Sequence, residues 1–318
     1  MNDVPPASEP LTAAGHSRPG HIDNGATDIR EITIADEDAG PYGITAGPDG
    51  ALWLTLAHAG RIARLGTDGD LRTFDLAAPQ CQPALITTGP DGALWFTRTG
   101  DGRIGRISTA GELSEFVLPE PGCGPYGITA GPDGALWFTE MNADRIGRLT
   151  PGGDLREYPL PAERAFVSTI TAGPDGALWC TLNQANAVGR VTTAGAVTLH
   201  ELPTPAAAPV GITATADALW CVEIGAGQVA KITPDGAVTE FALPDRTARP
   251  HAIVAAGDGC WFTEWGANRV AHISPTGTVT EHDLPTPKSE PHGLTIGPDG
   301  NLWVALESGG VAVLNRAP

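Results

Sequence analysis

The chain is 318 residues long, with 41 glycines and 29 prolines, 19 basic against 37 acidic side chains, and a net charge of −18. The acidity and the lack of any basic cluster exclude a phosphate backbone as partner and read as a solubility device. No apolar run approaches the roughly 20 residues needed to cross a bilayer, so no membrane partner is expected.

In chain order, residues 1–28 carry acidic residues, prolines and glycines without the apolar core of a secretion signal. They are expected to form a disordered extension that includes His16 and His21, with a cytoplasmic location as the default. The segment Ile29-Arg-Glu-Ile-Thr-Ile34 then reads as a lone strand. From there one unit recurs. Trp53, Trp95, Trp137, Trp179, Trp220, Trp261 and Trp303 follow one another at steps of 42 residues, shortened to 41 at two places. Only Trp265 falls outside the series.

Each unit has the same grammar. In the third, the apolar strand Tyr126-Gly-Ile-Thr-Ala130 meets a Gly-Pro-Asp-Gly turn at Gly131–Gly134. Proline at the second position presets φ, and glycine at the fourth suits a type I turn. The turn recurs at Gly47, Gly89, Gly173 and Gly297, and is shortened near Asp217 and Asp258, in the two units with the shorter step. A second strand follows, Ala135-Leu-Trp-Phe-Thr139, then a third, Arg145–Thr150, with the polar–apolar alternation of a half-buried strand. The fourth, Leu155–Leu160, contains a proline that only an edge strand tolerates.

Four strands per unit around a tryptophan predict an all-β, seven-bladed β-propeller over residues 29–318. Outer strands occur near Leu71, Leu113, Leu155, Val197, Val238 and Val279, and the last unit stops after its third. The lone amino-terminal strand is expected to supply the missing one and seal the ring. Closed edges and strong negative charge predict a monomer. Cys180, Cys221 and Cys260 adjoin repeat tryptophans and read as small buried residues. Cys81 and Cys123 sit one period apart, and a reducing compartment predicts free thiols for both.

Positions that differ between units point to a site. The residue before the Gly-Ile pair of the first strand is Tyr42, Ala84, Tyr126, Ser168, Val210, His251 or His292, a ring around one mouth of the central channel. The position four after each tryptophan is Ala57, Thr99, Met141, Asn183, Ile224, Trp265 or Glu307, on the same side of the disc. Glu290 lies two before His292, so Glu290, His292 and Glu307 are expected to converge, with His251 from the neighbouring blade. Paired glutamates suit a hard divalent cation such as Mg²⁺, and an imidazole suits a general base near neutral pH. Trp265 either stacks on a ligand or fills a gap. Glu140, Glu223 and Glu264, three after their tryptophans, either line this face or are solvated, while His58, His200, His272 and His282 read as surface residues.

At these residues the sequence resembles the virginiamycin B lyases, over positions 29 to 316. The stretches that carry the resemblance are Gly40-Pro-Tyr-Gly-Ile-Thr45, Gly124–Thr129, Trp137–Asn142, Arg249-Pro-His-Ala-Ile253, Trp261–Asn268 and Glu290-Pro-His-Gly293. The resemblance implies Mg²⁺-dependent linearisation of cyclic depsipeptide antibiotics, the type B streptogramins, by elimination at the ester. It implies His292 as general base, His251 and the aromatic Tyr42 at the substrate, and Glu290 and Glu307 as Mg²⁺ ligands. The aromatic and apolar mouth residues Tyr42, Tyr126, Val210 and Trp265 suit a large cyclic peptide. A metal-dependent lactone hydrolase and a non-catalytic binding propeller are the competing expectations. The sequence departs from the family in residues 1–28 and in the Ser308-Gly-Gly-Val311 end of the last blade.

Overall fold

The computed structural model describes residues 29–316 with the exception of Asp258. The expected extension over residues 1–28, with His16 and His21, and the shortened turn at Asp258 therefore lie outside the described residues. Among those described, every strand belongs to one of seven four-stranded antiparallel sheets, arranged as the blades of a propeller. In six blades the strands follow chain order from the channel outward, as in blade 1: Pro41–Ala46, Ala51–Leu56, Arg61–Gly66 and Leu71–Asp75.

The seventh blade is built from both ends of the domain. Its inner three strands are Pro291–Ile296, Leu302–Leu306 and Gly310–Leu314, and its outer strand is Ile29–Thr33. The pairing runs in register from Ile29 opposite Leu314 to Thr33 opposite Gly310. The closing strand expected from the sequence is thus in place, and without it the backbone groups of Gly310–Leu314 would form a bare edge.

The blade motif explains the tryptophan period. In blade 1 the turn residue Asp49 accepts Trp53 Nε1–H on Oδ1 at 3.1 Å and Arg64 Nε–H on Oδ2 at 2.7 Å. The indole stacks on Phe74 of the outer strand, with ring centroids 5.6 Å apart. Asp133, Trp137, Arg148 and Tyr158 repeat the arrangement in blade 3. Trp137 is fully buried between blades, and truncating such a side chain to alanine costs about 3–5 kcal/mol.

This arrangement corrects the reading of three histidines as surface residues. His200 stacks on Trp179, with centroids 5.3 Å apart, while His272 and His282 flank Trp261 at 5.0 and 5.5 Å. They occupy the arginine and aromatic places of the blade motif, where imidazole serves as a flat packing group. All five cysteines are buried and unbridged.

Glu140, Glu223 and Glu264 depart further from expectation: each is fully buried. They end the second strands of blades 3, 5 and 6, under the loops and beside outer-strand carboxylates. Burial, then the Glu157 charge, pushes the Glu140 carboxyl up to about 8. Burial pushes Glu223 and Glu264 up to about 7, with Gln228 Nε2 donating to Glu223 at 2.5 Å. In blade 2 the same place holds Arg98, which pairs with Glu115 and Asp101.

The native state therefore holds protons on these glutamates that the unfolded chain, titrating near 4.5, releases earlier. These three groups lower stability as pH rises from about 5 to 8, by up to about 1.4 kcal/mol per pH unit for each in its window, while His251, buried neutral, opposes them up to about pH 6.5. Urea unfolding is expected to show a decline in the wild type between about pH 6.5 and 8, and a flatter profile there in E140Q/E223Q/E264Q. Parallel profiles for the wild type and the triple variant would contradict it.

Candidate functional site

The first strand of each blade enters through a residue with left-handed backbone: Gly40 in blade 1 at φ 63, Arg249 in blade 6 at 52 and Glu290 in blade 7 at 53. For the two non-glycine residues this costs on the order of 1 kcal/mol. The turn aims the next residues at the channel mouth. It also lets Glu307 N–H donate to Glu290 O at 3.1 Å, so the two glutamates flank one backbone hydrogen bond.

The mouth residues are then fixed blade to blade. In five blades a second-strand threonine donates to the carbonyl of the next blade's mouth residue, as Thr263 Oγ1 does to His292 O at 3.0 Å, while blade 5 carries Val222 there and makes no such bond to His251. Blade 7 carries Ala305 at this place and cannot hold Tyr42 so. A close approach shared with blades 1, 3 and 5 remains: a Cβ on Gly293 would lie 2.6 Å from Tyr42 O, so only glycine admits this packing.

Of the residues expected at the mouth, His292, Glu307, His251, Tyr42 and Trp265 meet there, and Glu290 does not join them. His292 Nε2 is hydrogen-bonded to Glu307 Oε2, and the His292 side chain is 9% exposed. Tyr42 lies over the His292 ring with centroids 4.4 Å apart, and His251 meets the same ring edge-on at 4.9 Å. The Tyr42 hydroxyl shares a 2.6 Å hydrogen bond with that of Tyr126 across the channel. Trp265 stands 6.5 Å from His292, on a short 3₁₀ turn, with the Arg249 guanidinium 5.7 Å from its ring.

Glu290 is placed differently from the other three. Its side chain is exposed in a polar hollow between blades 6 and 7, lined also by Arg249, Trp265 and Lys288. Glu307 opens on the other side, into a more apolar hollow with Tyr42, Ala84, Tyr126 and Met141. The two carboxylates therefore line separate hollows, and only that of Glu307 touches His292.

One residue was not anticipated. His58, read from the sequence as a surface residue without an acidic neighbour, places Nε2 3.1 Å from Glu307 Oε1. A signal was available: five residues after the tryptophan the other blades carry Gly100, Asn142, Gln184, Gly225, Gly266 and Ser308, so His58 is the single imidazole in that series. Ring closure makes blades 1 and 7 neighbours, but the spacing does not show that the residue five after the blade 1 tryptophan reaches Glu307 across that seam.

The electrostatics separate the groups. Glu307 is held below the usual carboxylate value, first by its hydrogen bond from His292, so it stays ionised. Burial drives His251 down to about 3, aided by His292, which keeps its imidazole neutral. Burial and the neighbouring Tyr126 raise Tyr42 well above 10, leaving a neutral phenol. His251 Nδ1, His292 Nδ1 and Trp265 Nε1 are buried without a hydrogen-bond partner, so polar capacity is left for a ligand or water.

Among the described residues no three His, Cys, Asp or Glu side chains are grouped to hold a metal unaided. Glu290 and Glu307 are hard oxygen donors of the kind Mg²⁺ takes together with several waters, and they stand in separate hollows of the same blade.

The architecture and mouth define a seven-bladed propeller with a histidine–carboxylate site on its ring-closing seam. Residues 27–314 match the Virginiamycin B lyase family, and the chain belongs to that family of lyases. A solved streptogramin B lyase superimposes with a TM-score of 0.88 at 43% identity, covering 92% of this chain and 98% of that one. Virginiamycin B lyase from Staphylococcus aureus gives 0.87 at 42%, covering 91% and 99%. A catalytically inactive variant of the latter, with quinupristin, gives 0.87 at 41%, with the same coverage. Virginiamycin B lyase from Saccharopolyspora erythraea is 61% identical over a 46-residue segment that spans 14% of this chain and 15% of that relative. The WD40 propeller of Doa1, at 10% identity and a TM-score of 0.73, shares the fold alone.

The His251 assignment is open to direct measurement. Its imidazole nitrogen shifts in NMR are expected to stay those of a neutral ring from pH 8 to 5. A protonation midpoint near 6.5 would contradict the buried, neutral environment.

Proposed function

We propose that this protein, acting as a cytoplasmic monomer, linearises type B streptogramins by β-elimination at the threonyl ester of their ring. The observation that carries this reading is the His292–Glu307 contact at the channel mouth, bordered by Tyr42, His251 and Trp265. The quinupristin-bearing relative supports the substrate class.

In this reading Nδ1 of His292, left without a hydrogen-bond partner while Nε2–H donates to ionised Glu307, takes the proton from the threonyl α-carbon, which lies between that residue's own carbonyl and the β-carbon that bears the ester oxygen. The electron pair of that C–H bond forms a carbon–carbon double bond as the β-carbon–oxygen bond breaks. The ester oxygen leaves as a carboxylate, so no water enters the product. Glu307, ionised beside the imidazole, favours the imidazolium that results. His251, kept neutral, donates or accepts a hydrogen bond at the substrate without adding charge. Tyr42 and Trp265 offer flat faces to an apolar macrocycle. Glu290 and Glu307 would hold a Mg²⁺ ion, which when bound would polarise the carbonyl and stabilise charge developing on its oxygen.

Mass spectrometry after incubation with a type B streptogramin and Mg²⁺ is expected to show a linear product of unchanged mass with a new double bond. H292A is expected to lower kcat by about 10²–10⁴. A product heavier by one water would replace elimination with hydrolysis, and an intact ring after prolonged incubation would overturn the reading.

A further inference from the structure

We propose that His58 is a positioning residue for this site: it grips the outer oxygen of Glu307 so that the inner oxygen faces His292. This rests on the function proposed above and adds a second residue from the first blade, beside Tyr42, to a site otherwise provided by the last two.

The geometry is that of a carboxylate held at both ends. Glu307 Oε1 lies 3.1 Å from His58 Nε2, while Oε2 is hydrogen-bonded to His292 Nε2. A glutamate side chain that is 22% exposed has rotamer freedom to lose, and two fixed partners remove it. His58 is itself fixed from below. A Cβ on Gly40 would lie 2.7 Å from His58 Nδ1, so the ring rests directly on the backbone of that glycine. Its own backbone N–H donates to Ala39 O at 3.1 Å.

The matching residue of blade 3 shows what an ordinary occupant does. Asn142 sits over Gly124 in the same way, but its Nδ2 turns back to donate to Gly122 O at 3.0 Å. Its contact stays within the blade, whereas His58 reaches across the seam. No other blade offers an imidazole there, and no other mouth has a carboxylate opposite. The His58 side chain is 54% exposed, so the fold gains little from its burial. Residues that orient a ligating or catalytic carboxylate typically contribute about 10–100-fold to activity or metal affinity.

The test compares wild type, H58A and H58Q. Glutamine places an amide N–H close to the imidazole Nε2 position, and Gln184 already occupies this place in blade 4. H58A is expected to unfold at the wild-type temperature, to lose about tenfold or more in kcat with KM changed less than about twofold, and to be largely rescued by H58Q. Independently of turnover, H58A at fixed pH is expected to shift the ¹⁵N resonances of the His292 imidazole, and H58Q to bring them back. A wild-type enzyme without activity on type B streptogramins would defeat the proposed function, leaving the resonance comparison to decide on His58. Unmoved His292 resonances in H58A, or H58A turnover within about twofold of wild type, would overturn the positioning role.

Discussion

The pairing of Ile29–Thr33 with Gly310–Leu314 is the contact on which the rest depends. It makes the first and last blades neighbours in a closed ring. Only then do Tyr42 and His58, near the start of the domain, stand against His292 and Glu307, near its end. The site therefore lies on the seam where the chain closes on itself. A closed sheet arrangement also leaves no strand edge near the mouth, so the loops above it are free to vary.

Around that seam the fold supplies rigidity and the unequal positions supply chemistry. The repeated Asp–Trp–Arg link on the far face and the threonine-to-carbonyl bonds on the near face hold backbone positions to hydrogen-bond tolerance. On this frame, polar groups are placed in a partly desolvated hollow, where each interaction is stronger than in water. The outcome is one ionised carboxylate, one neutral buried imidazole and one neutral phenol around His292. Such a division of charge suits proton removal from carbon, in which a base must gain charge beside a group that stabilises it.

Much of this was legible in the sequence because a repeat is its own alignment. The tryptophan period gave the blade count, the missing outer strand gave the closure, and the unequal residues gave His251, His292 and Glu307. What escaped was what a linear period cannot carry. Glu140, Glu223 and Glu264 are charged residues at a strand end, and charge alone suggests exposure. Their burial arises from loops and outer strands packing over them. His200, His272 and His282 looked exceptional as residue types yet fill ordinary aromatic or arginine places in the blade. His58 appeared isolated because its partner is 249 positions away along the chain and one blade away around the ring. Glu290 was expected to converge with His292 and Glu307, but from its left-handed backbone the side chain lines a separate hollow beside Lys288.

The most direct test moves the closing strand. A chain beginning at Ala35 lacks the outer strand of the seventh blade, and a second version carries Ile29–Ile34 after Arg316 through a short flexible linker. Turnover of a type B streptogramin is the measurement, with near-ultraviolet circular dichroism as the control for packing. The account predicts loss of activity in the truncated chain and its recovery when the strand is returned at the other end. A truncated chain that keeps wild-type turnover would contradict a site built on the ring-closing seam.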